Sequence, residues 1–467
     1  MSRQRLSLFL TVAAITAASL AGVEAAPGNQ PVAEATTARP NVVIILTDDE
    51  RAGLSDAMPV VRRRVQKAGL TFTNYMVPTT LCCPSRASLL TGKFSHGTGV
   101  WNNGLPNDVP LTGGQAGFVA NGNENQTLAA VLDEQGYETA LVGKYLNGFF
   151  TSSATPVGWD AFEAFQGPPG YFDYTLAGVH YGTAPSDYST DVIAQRAVDI
   201  IKNSGPDPLF LYVAPYGPHS PYTPAPRHLA APVSDLVHNR DFIGINENVS
   251  DKPLWVRRLD HKDPSRQRQV ARLQHRAMMS VDELTKDVLD ALKAKGKIAN
   301  TLIVYASDNG QQWGEHHYAG KNVPYRRATE VPLYMRWDHH LSQGTVKDRI
   351  ALNVDVTATI AAATGITMPW SEGRSLFKST QRKGFVIEAT DQHPPTPVRP
   401  AYCGWRTLHR LFVRYSTGEE ELYFYQSDPF EFRNLADRAQ YRDALRTMRS
   451  RAKDSCVPKP PGFSWVR

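Results

Sequence analysis

The amino-acid sequence predicts an α/β fold with a large, mostly parallel mixed sheet flanked by helices, followed by a small C-terminal α+β domain with an antiparallel sheet. The first observation is a set of short apolar runs, which are typical of strands buried on both faces. The second is that helical segments separate these runs, as parallel strands require. The third is that every run ends in polar or charged residues. The runs cover residues 41–46, 139–142, 209–214 and 301–305.

The N-terminal segment has the pattern of an export signal. Arginines precede an apolar run that ends in Val23-Glu24-Ala25, a small-x-small cleavage site. This pattern predicts a signal peptide over residues 1–26 and a polar tail over residues 27–39, with an uncleaved membrane anchor as the alternative. After cleavage the protein would have no membrane contact. It would be secreted or extracytoplasmic, in a periplasm, at a cell surface or in a lysosome-like compartment.

The composition excludes some classes of partner. The formal net charge of +5 over 467 residues is too small and too dispersed to indicate binding of nucleic acid. A hydrophobic content of 42% allows a large buried core. We therefore expect a main domain over residues 40–378 and a C-terminal domain over residues 379–467.

Helical segments and loops fill the space between the apolar runs. Residues 102–125 are rich in glycine and asparagine and predict a long surface loop, and residues 226–264 predict loops and short turns. Thr127 is a suitable N-cap for a helix that follows it. The predicted helices of the main domain cover residues 60–67, 85–90, 127–135, 191–201, 265–295 and 355–363.

From about residue 379 the strands follow one another without long helices. We expect Cys403 and Cys456 to form a disulfide, because export permits disulfides and both residues lie in this small domain. Cys82 and Cys83 are adjacent, and adjacent cysteines rarely reach the geometry of a disulfide. The predicted elements are strands over residues 385–387, 411–415 and 421–423, a proline-rich connector over residues 394–400 and a helix over residues 441–452.

Cys82 lies in the stretch on which the functional prediction rests. Pro84 suits the first turn of a helix, and Gly92 can end that helix. Cys82 would then lie just before the helix N-terminus, where free N–H groups and the helix dipole favour a bound anion. Arg86 adds a permanent cation with a planar set of donors. The stretch predicts a nucleophile beside an anion-binding site.

The polar residues after the apolar runs form a second candidate cluster. Because the carboxyl ends of parallel strands lie at one edge of a sheet, these side chains can meet although they are far apart in the sequence. The carboxylate and amide oxygens among them are ligands that Ca²⁺ and Mg²⁺ prefer, whereas zinc favours histidine and cysteine. We predict a Ca²⁺ site, with Mg²⁺ as the alternative. The residues at the strand ends are Asp48, Asp49, Lys144, His219, Asp308 and Asn309.

A longer motif surrounds Cys82. Residues 82–86, Cys-Cys-Pro-Ser-Arg, are followed by Leu-Thr-Gly-Lys at residues 90–93, which matches the pattern C-x-P-S-R…L-T-G-[KR]. By this pattern the chain resembles the type I, formylglycine-dependent sulfatases of the alkaline-phosphatase-like superfamily. The resemblance extends from residue 41 to about residue 373 and, more weakly, over residues 421–435. The segments most similar to the N-acetylglucosamine-6-sulfatase branch are residues 81–88, 143–147 and 218–221.

The resemblance implies that Cys82 is converted to formylglycine by a formylglycine-generating enzyme. Cys83 cannot take this role, because Pro84 would follow it directly. One hydroxyl of the hydrated aldehyde would attack sulfur and release the alcohol, and the other would then expel sulfate. The substrate would be a sulfated carbohydrate of the glucosamine 6-sulfate type or another sulfate ester. The implied cation ligands are Asp48, Asp49, Asp308, Asn309 and residue 82.

The remaining implied roles follow charge. Arg86 would hold the formylglycine hydrate, and Lys144 and Lys321 would neutralise the sulfate oxygens. His219 would bind the sulfate ester or protonate the leaving oxygen. All four are expected to contact the substrate or the nucleophile.

The chain departs from the family pattern after Lys144. Many sulfatases have a second histidine shortly after this lysine, whereas this chain has Asn147 in the segment Gly-Lys-Tyr-Leu-Asn. Asn147 can replace part of that histidine as a substrate-binding residue. Other candidates for the missing imidazole are His96, His316 and His317.

A second departure exchanges a glutamate and an arginine. Arg326 and Glu330 stand where the family has the opposite order, four residues apart. If the segment is helical, the exchange keeps the ion pair. We interpret it as structural.

Two other functions remain open from the sequence. A phosphonate or phosphate-ester hydrolase of the same superfamily can share the nucleophile and the metal ligands. A catalytically silent protein that binds sulfated glycans would keep an unmodified thiol at Cys82 and would not depend on metal. For the sulfated-sugar substrate, Trp101, Asn102, Asn103 and Tyr222 could line a sugar site, with ordinary loop residues as the alternative.

Overall fold

The computed structural model describes residues 39–104, 112–150, 153–392 and 398–465. The predicted signal peptide, the tail up to residue 38 and most of the proline-rich connector lie outside these residues.

The strands are, in chain order, β1 Asn41–Thr47, β2 Leu70–Met76, β3 Glu138–Gly143, β4 Ala161–Ala164, β5 Tyr174–Leu176, β6 Val179–Tyr181, β7 Leu209–Ala214, β8 Thr301–Ser307, β9 Gln312–Trp313, β10 Ala319–Gly320, β11 Leu333–Arg336, β12 Thr345–Leu352, β13 Phe385–Ala389, β14 Tyr402–Arg406, β15 Arg410–Tyr415 and β16 Glu420–Phe424.

The helices include one π-helical segment at Val61–Gln66 and several short 3₁₀ turns. The 3₁₀ turns are Leu54–Ala57, Glu124–Gln126, Pro185–Asp187, Pro226–His228, Ser234–Leu236, Asn239–Phe242, Ile298–Asn300 and Ala439–Tyr441. The α-helices are α1 Cys82–Thr91, α2 Ser95–Thr98, α3 Gly114–Ala120, α4 Leu128–Glu134, α5 Ser189–Asn203, α6 Leu254–Arg257, α7 Pro264–Ala294, α8 Arg326–Thr329, α9 Asn353–Thr364 and α10 Arg442–Ser455.

The main sheet has eight strands in the order β12-β2-β11-β8-β1-β7-β3-β4. The pairs β8–β1, β1–β7, β7–β3, β3–β4 and β2–β12 are parallel, and β11 runs antiparallel to both of its neighbours. The four predicted apolar runs form the centre of this sheet. The predicted mixed, mostly parallel α/β sheet is therefore confirmed.

Alternating side chains of β1 face two separate layers of helices. Ile44 belongs to a buried cluster that also contains Ala87 of α1 and Ile360 of α9. Ile45 belongs to the cluster on the other face, with Ile193 of α5 and Met278 of α7. Because both faces are covered, every residue of β1 is buried, as its unbroken apolar sequence requires.

Some expectations need correction. The predicted loop over residues 102–125 contains the helix α3, and residues 105–111 of it lie outside the described residues. The strands β2, β11 and β12 were missed because they are not unbroken apolar runs. β12 has the sequence TVKDRIAL and is one of the two edge strands of the sheet, so that charged side chains can reach solvent.

The C-terminal sheet is antiparallel, with the order β13-β14-β15-β16. The predicted strands and the final helix are confirmed, and β14 is an additional strand. Cys403 and Cys456 form the expected disulfide. The predicted domain boundary at residue 378 precedes β13 by a few residues and stays a prediction.

The exchanged arginine and glutamate lie where the C-terminal sheet meets the main part of the chain. Arg326 Nε donates to Glu330 Oε1 over 2.6 Å, so the expected ion pair is present. Arg406 of β14 donates to the same oxygen over 2.6 Å. The exchange therefore keeps the pair and joins it to the C-terminal sheet.

Candidate active site

The candidate site lies at the carboxyl ends of four adjacent strands, β8, β1, β7 and β3. These strands are parallel, so the residues that follow them emerge at the same edge of the sheet. The structure brings these residues together with Cys82 and Lys321. The residues at the strand ends are Asp48, Asp49, Lys144, His219, Asp308 and Asn309.

Cys82 is the first residue of α1, with the extended Leu81 as the N-cap residue. The expectation that Cys82 precedes the helix was therefore off by one position. Gly92 ends the helix with φ 76°, as predicted. The Cys82 thiol donates to Asp48 Oδ1 at 3.4 Å, and Lys321 Nζ donates to its sulfur at 2.7 Å.

The Cys82 thiol is held in its neutral form. The side chain is fully buried, and this burial together with the Asp48 carboxylate raises its pKa to about 12. Thiolate is the reactive form of cysteine, so this thiol would be a weak nucleophile at neutral pH.

Asp48 is surrounded by cations. Lys144 Nζ forms an ion pair with Asp48 Oδ2, and Arg86 Nη2 lies 3.7 Å from the same oxygen. Burial disfavours the charged carboxylate, but Lys144, His219 and Arg86 outweigh it and hold the pKa of Asp48 well below its usual range. Asp48 is therefore a permanent anion at the centre of the site.

Asp49 follows with an unusual backbone conformation, φ 69°. This left-handed turn brings its carboxylate to a second set of partners. Lys321 Nζ and Asn309 Nδ2 donate to Asp49 Oδ1, the latter over 2.7 Å, and His219 Nε2 lies 3.6 Å from Asp49 Oδ2. Asp49 thus connects three of the predicted site residues.

Arg86 is hydrogen-bonded to Asp308 and holds that carboxylate in place. Its Nε donates to Asp308 Oδ2 over 2.8 Å, and its Nη1 donates to the Lys144 carbonyl over 2.7 Å. Asp308 Oδ1 accepts the Asp49 backbone N–H over 3.1 Å. Burial and the nearby Asp48 raise the pKa of Asp308 to about 6. The predicted contact of Arg86 with residue 82 stays a prediction.

Four side chains of the site form a group that could hold a metal ion. One ligand atom each from Asp48, Asp49, Cys82 and His219 lies within 4.8 Å of the others. Asn309 Oδ1 is buried and accepts no hydrogen bond from any described residue. A buried oxygen without a donor is costly unless a cation or another group satisfies it. The two carboxylates and this amide oxygen therefore fit the predicted hard cation, whereas the group of four contains His219, which was not predicted as a ligand, in place of Asp308.

His219 is oriented by its own loop. Its Nδ1 donates to the Ser220 carbonyl over 2.7 Å, which leaves Nε2 on the side of Asp49. The Tyr216 ring lies 4.8 Å from the imidazole between centroids. Burial and the charge of Lys321 lower the pKa of His219.

Asn147 lies in the wall of a cavity of about 340 Å³ that Lys144 also lines. Phe150 and Phe165 supply apolar surface to the same cavity. Asn103, from the predicted sugar-binding stretch, lies there too, and its Oδ1 accepts the Cys83 backbone N–H over 2.9 Å. The cavity is thus next to the cluster around Cys82.

Comparison with known families agrees with the motif around Cys82. The family model described as Sulfatase matches residues 40–366. The chain belongs to the sulfatase family. A second model, described as the C-terminal part of N-sulphoglucosamine sulphohydrolase, matches residues 314–456 of this sulfatase chain. The resemblance inferred from the motif is confirmed.

Individual curated proteins are similar to this sulfatase chain. The N-acetylglucosamine-6-sulfatase of Homo sapiens is 33% identical over 353 residues, which are 71% of this chain and 62% of that protein. This chain spans about three fifths of the length of the curated relatives it matches.

Solved structures share the fold. A protein solved with its substrate D-glucosamine-2-N,6-O-disulfate has a TM-score of 0.75 and 22% identity, with 90% of this chain and 97% of that chain covered. The phosphonate monoester hydrolase of Agrobacterium radiobacter has a TM-score of 0.69 and 18% identity, with 89% and 95% covered.

The candidates for the missing second histidine of the sulfatase pattern lie elsewhere. His96 lies between Glu372 and Glu388. His316 forms an ion pair with Glu247, and His317 Nε2 is hydrogen-bonded to the carbonyl of residue 247. These contacts are all with residues that are not part of the cluster at Cys82.

Two aromatic residues change the expectations for this sulfatase site. Trp101 is only 5% exposed, so it cannot offer an open face to a sugar. Tyr216 was missed by sequence reasoning, although it follows β7 by two residues. Its ring lies 5.9 Å from Lys144 Nζ and also contacts His219. The position directly after a central strand was the signal that could have identified it.

Proposed function

We propose that this protein is an exported sulfatase that hydrolyses the sulfate esters of a sulfated sugar. The observation that carries the proposal is the cluster around Cys82, where carboxylates, lysines and a histidine converge on one fully buried side chain. Such a site can bind a tetrahedral anion and a divalent cation together.

Conversion of Cys82 to formylglycine is part of the proposal, with a formylglycine-generating enzyme as the maturation partner. The motif at residues 82–86 supports it, and so does the raised pKa of the thiol, because an unmodified Cys82 would be a poor nucleophile. When present, hydrated formylglycine supplies the hydroxyl that attacks sulfur.

The cation would be held by Asp48, Asp49, Asp308, Asn309 and residue 82. Ca²⁺ is the first candidate and Mg²⁺ the second, because the protein ligands are oxygen atoms. When bound, the cation polarises the sulfate group and lowers the pKa of the nucleophile.

The other side chains of the site act by position and charge. Lys144 and Lys321 would neutralise the sulfate oxygens, because their ammonium groups lie at the centre of the site, beside Asp48 and Asp49. Arg86 keeps Asp308 in place. His219 would hold a proton at Nε2 for the leaving oxygen, and its lowered pKa would make the protonated ring a stronger acid.

The proposed substrate is a glucosamine 6-sulfate type of ester. The name of the human relative and the disulfated glucosamine bound by the structural neighbour support this class. Asn147, beside Lys144 in the wall of the same cavity, would contact the sugar.

Export is supported by the N-terminal sequence alone. None of the helices that the structure describes combines the length and the apolar character needed to cross a lipid bilayer. The proposal places the mature protein in a secreted or extracytoplasmic compartment.

The test combines peptide mass spectrometry across residue 82 with kinetics, on protein from the native host. We expect an aldehyde at residue 82, hydrolysis of glucosamine 6-sulfate and of an aryl sulfate, and loss of activity on chelation of Ca²⁺. Cys82→Ser should abolish turnover, because serine has no second hydroxyl to expel sulfate, whereas Cys83→Ser serves as the matched neighbouring control.

Faster turnover of an aryl phosphonate or phosphate diester than of an aryl sulfate would assign the protein to the phosphonate hydrolases, whose fold it shares. An unmodified thiol with metal-independent glycan binding and no turnover would make it a silent binding protein. Either result overturns the proposal.

A further inference from the structure

We infer that Gln274, on the long helix α7, is a positioning residue that fixes two loops of the active site relative to each other. Gln274 is fully buried and lies behind the site rather than in it. One loop follows β7 and carries His219. The other follows β8 and carries Asp308 and Asn309. The inference rests on the proposed function, because those residues are its proposed machinery.

The Gln274 amide donates to both loops. Its Nε2 donates to the Pro218 carbonyl over 3.3 Å and to Gln311 Oε1 over 2.9 Å. Pro218 directly precedes His219, and Gln311 is two residues beyond Asn309. The two N–H bonds of one amide group therefore set the spacing between the loops.

A second hydrogen bond joins the same two loops. Gln311 Nε2 donates to the Tyr222 hydroxyl over 2.7 Å. Tyr222 follows His219 in the same loop, and its backbone N–H donates to the His219 carbonyl over 2.9 Å. His219 thus lies between Pro218, which is hydrogen-bonded to Gln274, and Tyr222, which is hydrogen-bonded to Gln311.

The Gln274 side chain is itself fixed in one orientation. Its Oε1 accepts the indole N–H of Trp313 over 2.7 Å, which determines that Nε2 is the group that faces the loops. Gln311 and Trp313 are 5% and 3% exposed, so water cannot easily replace these bonds. A displacement of a catalytic group by about 1 Å can lower a rate about 100-fold, which is why such a remote amide matters.

The test replaces Gln274 by methionine, which keeps the volume and removes the hydrogen bonds. Gln267→Met is the matched control, because Gln267 is a buried glutamine on the same helix, 6% exposed. Measurements are kcat and KM with a sulfate ester, the dissociation constant for Ca²⁺ by calorimetry, and the melting temperature of each variant.

For Gln274→Met we expect a fall in kcat of about 10- to 100-fold with KM changed less than about threefold, as for other residues that orient metal-site groups. We also expect weaker Ca²⁺ binding, by at least about threefold. Gln274→Glu should be as impaired, because a carboxyl group keeps the acceptor for Trp313 but offers at most one donor where the amide has two. Gln267→Met should stay within about twofold of the parent protein in both quantities.

Equal behaviour of Gln274→Met and Gln267→Met in kcat and in Ca²⁺ affinity would overturn the inference. A parent protein without sulfatase activity would contradict the proposed function instead, and the Ca²⁺ affinities of the two variants would still decide the role of Gln274.

Discussion

Lys321 illustrates how individual side chains set the charge balance of the site. Its Nζ contacts the Asp49 carboxylate and lies 2.7 Å from the sulfur of Cys82. Burial alone would lower the pKa of Lys321, but the Asp49 and Asp48 carboxylates raise it well above its usual range. The ammonium group therefore remains charged at neutral pH.

Replacing Lys321 by methionine should lower kcat/KM for sulfate esters by about 100-fold or more, because a cation next to the developing charge is lost. Lys347→Met, in the exposed edge strand β12, is the control and should leave kcat/KM unchanged. Steady-state kinetics on both variants, with circular dichroism to show that they fold, makes the comparison. A fall of less than threefold for Lys321→Met would remove this lysine from the proposed mechanism.

The residues of the site differ in how well the sequence predicts them. Asp48, His219 and Asp308 follow buried strands, so the rule that ligands bind at strand ends places them together. Lys321 follows no long strand, and its role was implied only by the family motif. The lateral contacts of Arg86 with Asp308 could not be predicted, because the direction of a side chain depends on the packing of elements that are far apart in the sequence.

At the scale of elements, His96 joins the short helix α2 to the C-terminal sheet. Its Nδ1 lies 2.8 Å from Glu388 Oε1 of β13, and its Nε2 lies 3.4 Å from Glu372 Oε1. Burial lowers the pKa of the imidazole, but the two glutamates more than offset this and raise it to about 10. His96 is therefore an ion-pair partner within the fold.

This contact predicts a pH-dependent part of the stability. A folded-state pKa of about 10 lies above the pKa of 6.5 that histidine has in an unfolded chain, so the stabilisation by His96 is complete below pH 6.5 and is lost as the pH rises to about 10. His96→Gln should cost on the order of 3 kcal/mol at pH 6 and much less at pH 10.

Urea unfolding of the parent and His96→Gln at a series of pH values measures this difference, with His409→Gln, exposed before β15, as the control for pH effects in general. A difference in unfolding free energy that stays constant from pH 6 to pH 10 would contradict the assigned ion pairs.

The whole molecule divides into parts that the sequence predicts well and parts that it does not. The central strands β1, β3, β7 and β8 were predicted because burial on both faces leaves only apolar residues in them. β2 and β12 were missed, since a strand at or near the sheet edge mixes polar and apolar residues. The antiparallel insertion of β11 between β8 and β2 has no local sequence signal, because strand order depends on long-range pairing.

The disulfide Cys403–Cys456 stabilises the C-terminal part of the molecule. It closes a loop with a sequence separation of 53 residues between β14 and the end of α10. Removing it with the double substitution Cys403→Ala/Cys456→Ala should lower the free energy of unfolding by about 4 kcal/mol, because the unfolded chain gains entropy. Turnover at 25 °C should change less than about twofold.

Urea unfolding and kinetics of the double variant check this expectation, and dithiothreitol should destabilise the parent protein but not the variant. Loss of activity in a variant that is still fully folded would show that the bridge also shapes the active site, contrary to the expectation.

The burial of α1 has a consequence for the order of events during biosynthesis. All residues of this helix, from Cys82 to Thr91, are buried in the folded protein. A modifying enzyme must take several residues around its target into its own active site, and opening a core helix costs nearly the whole stability of the fold. The proposed conversion of Cys82 must therefore precede collapse of the chain. The fraction of active molecules then depends on the rate of modification relative to the rate of folding. A chain that folds before it is modified remains inactive.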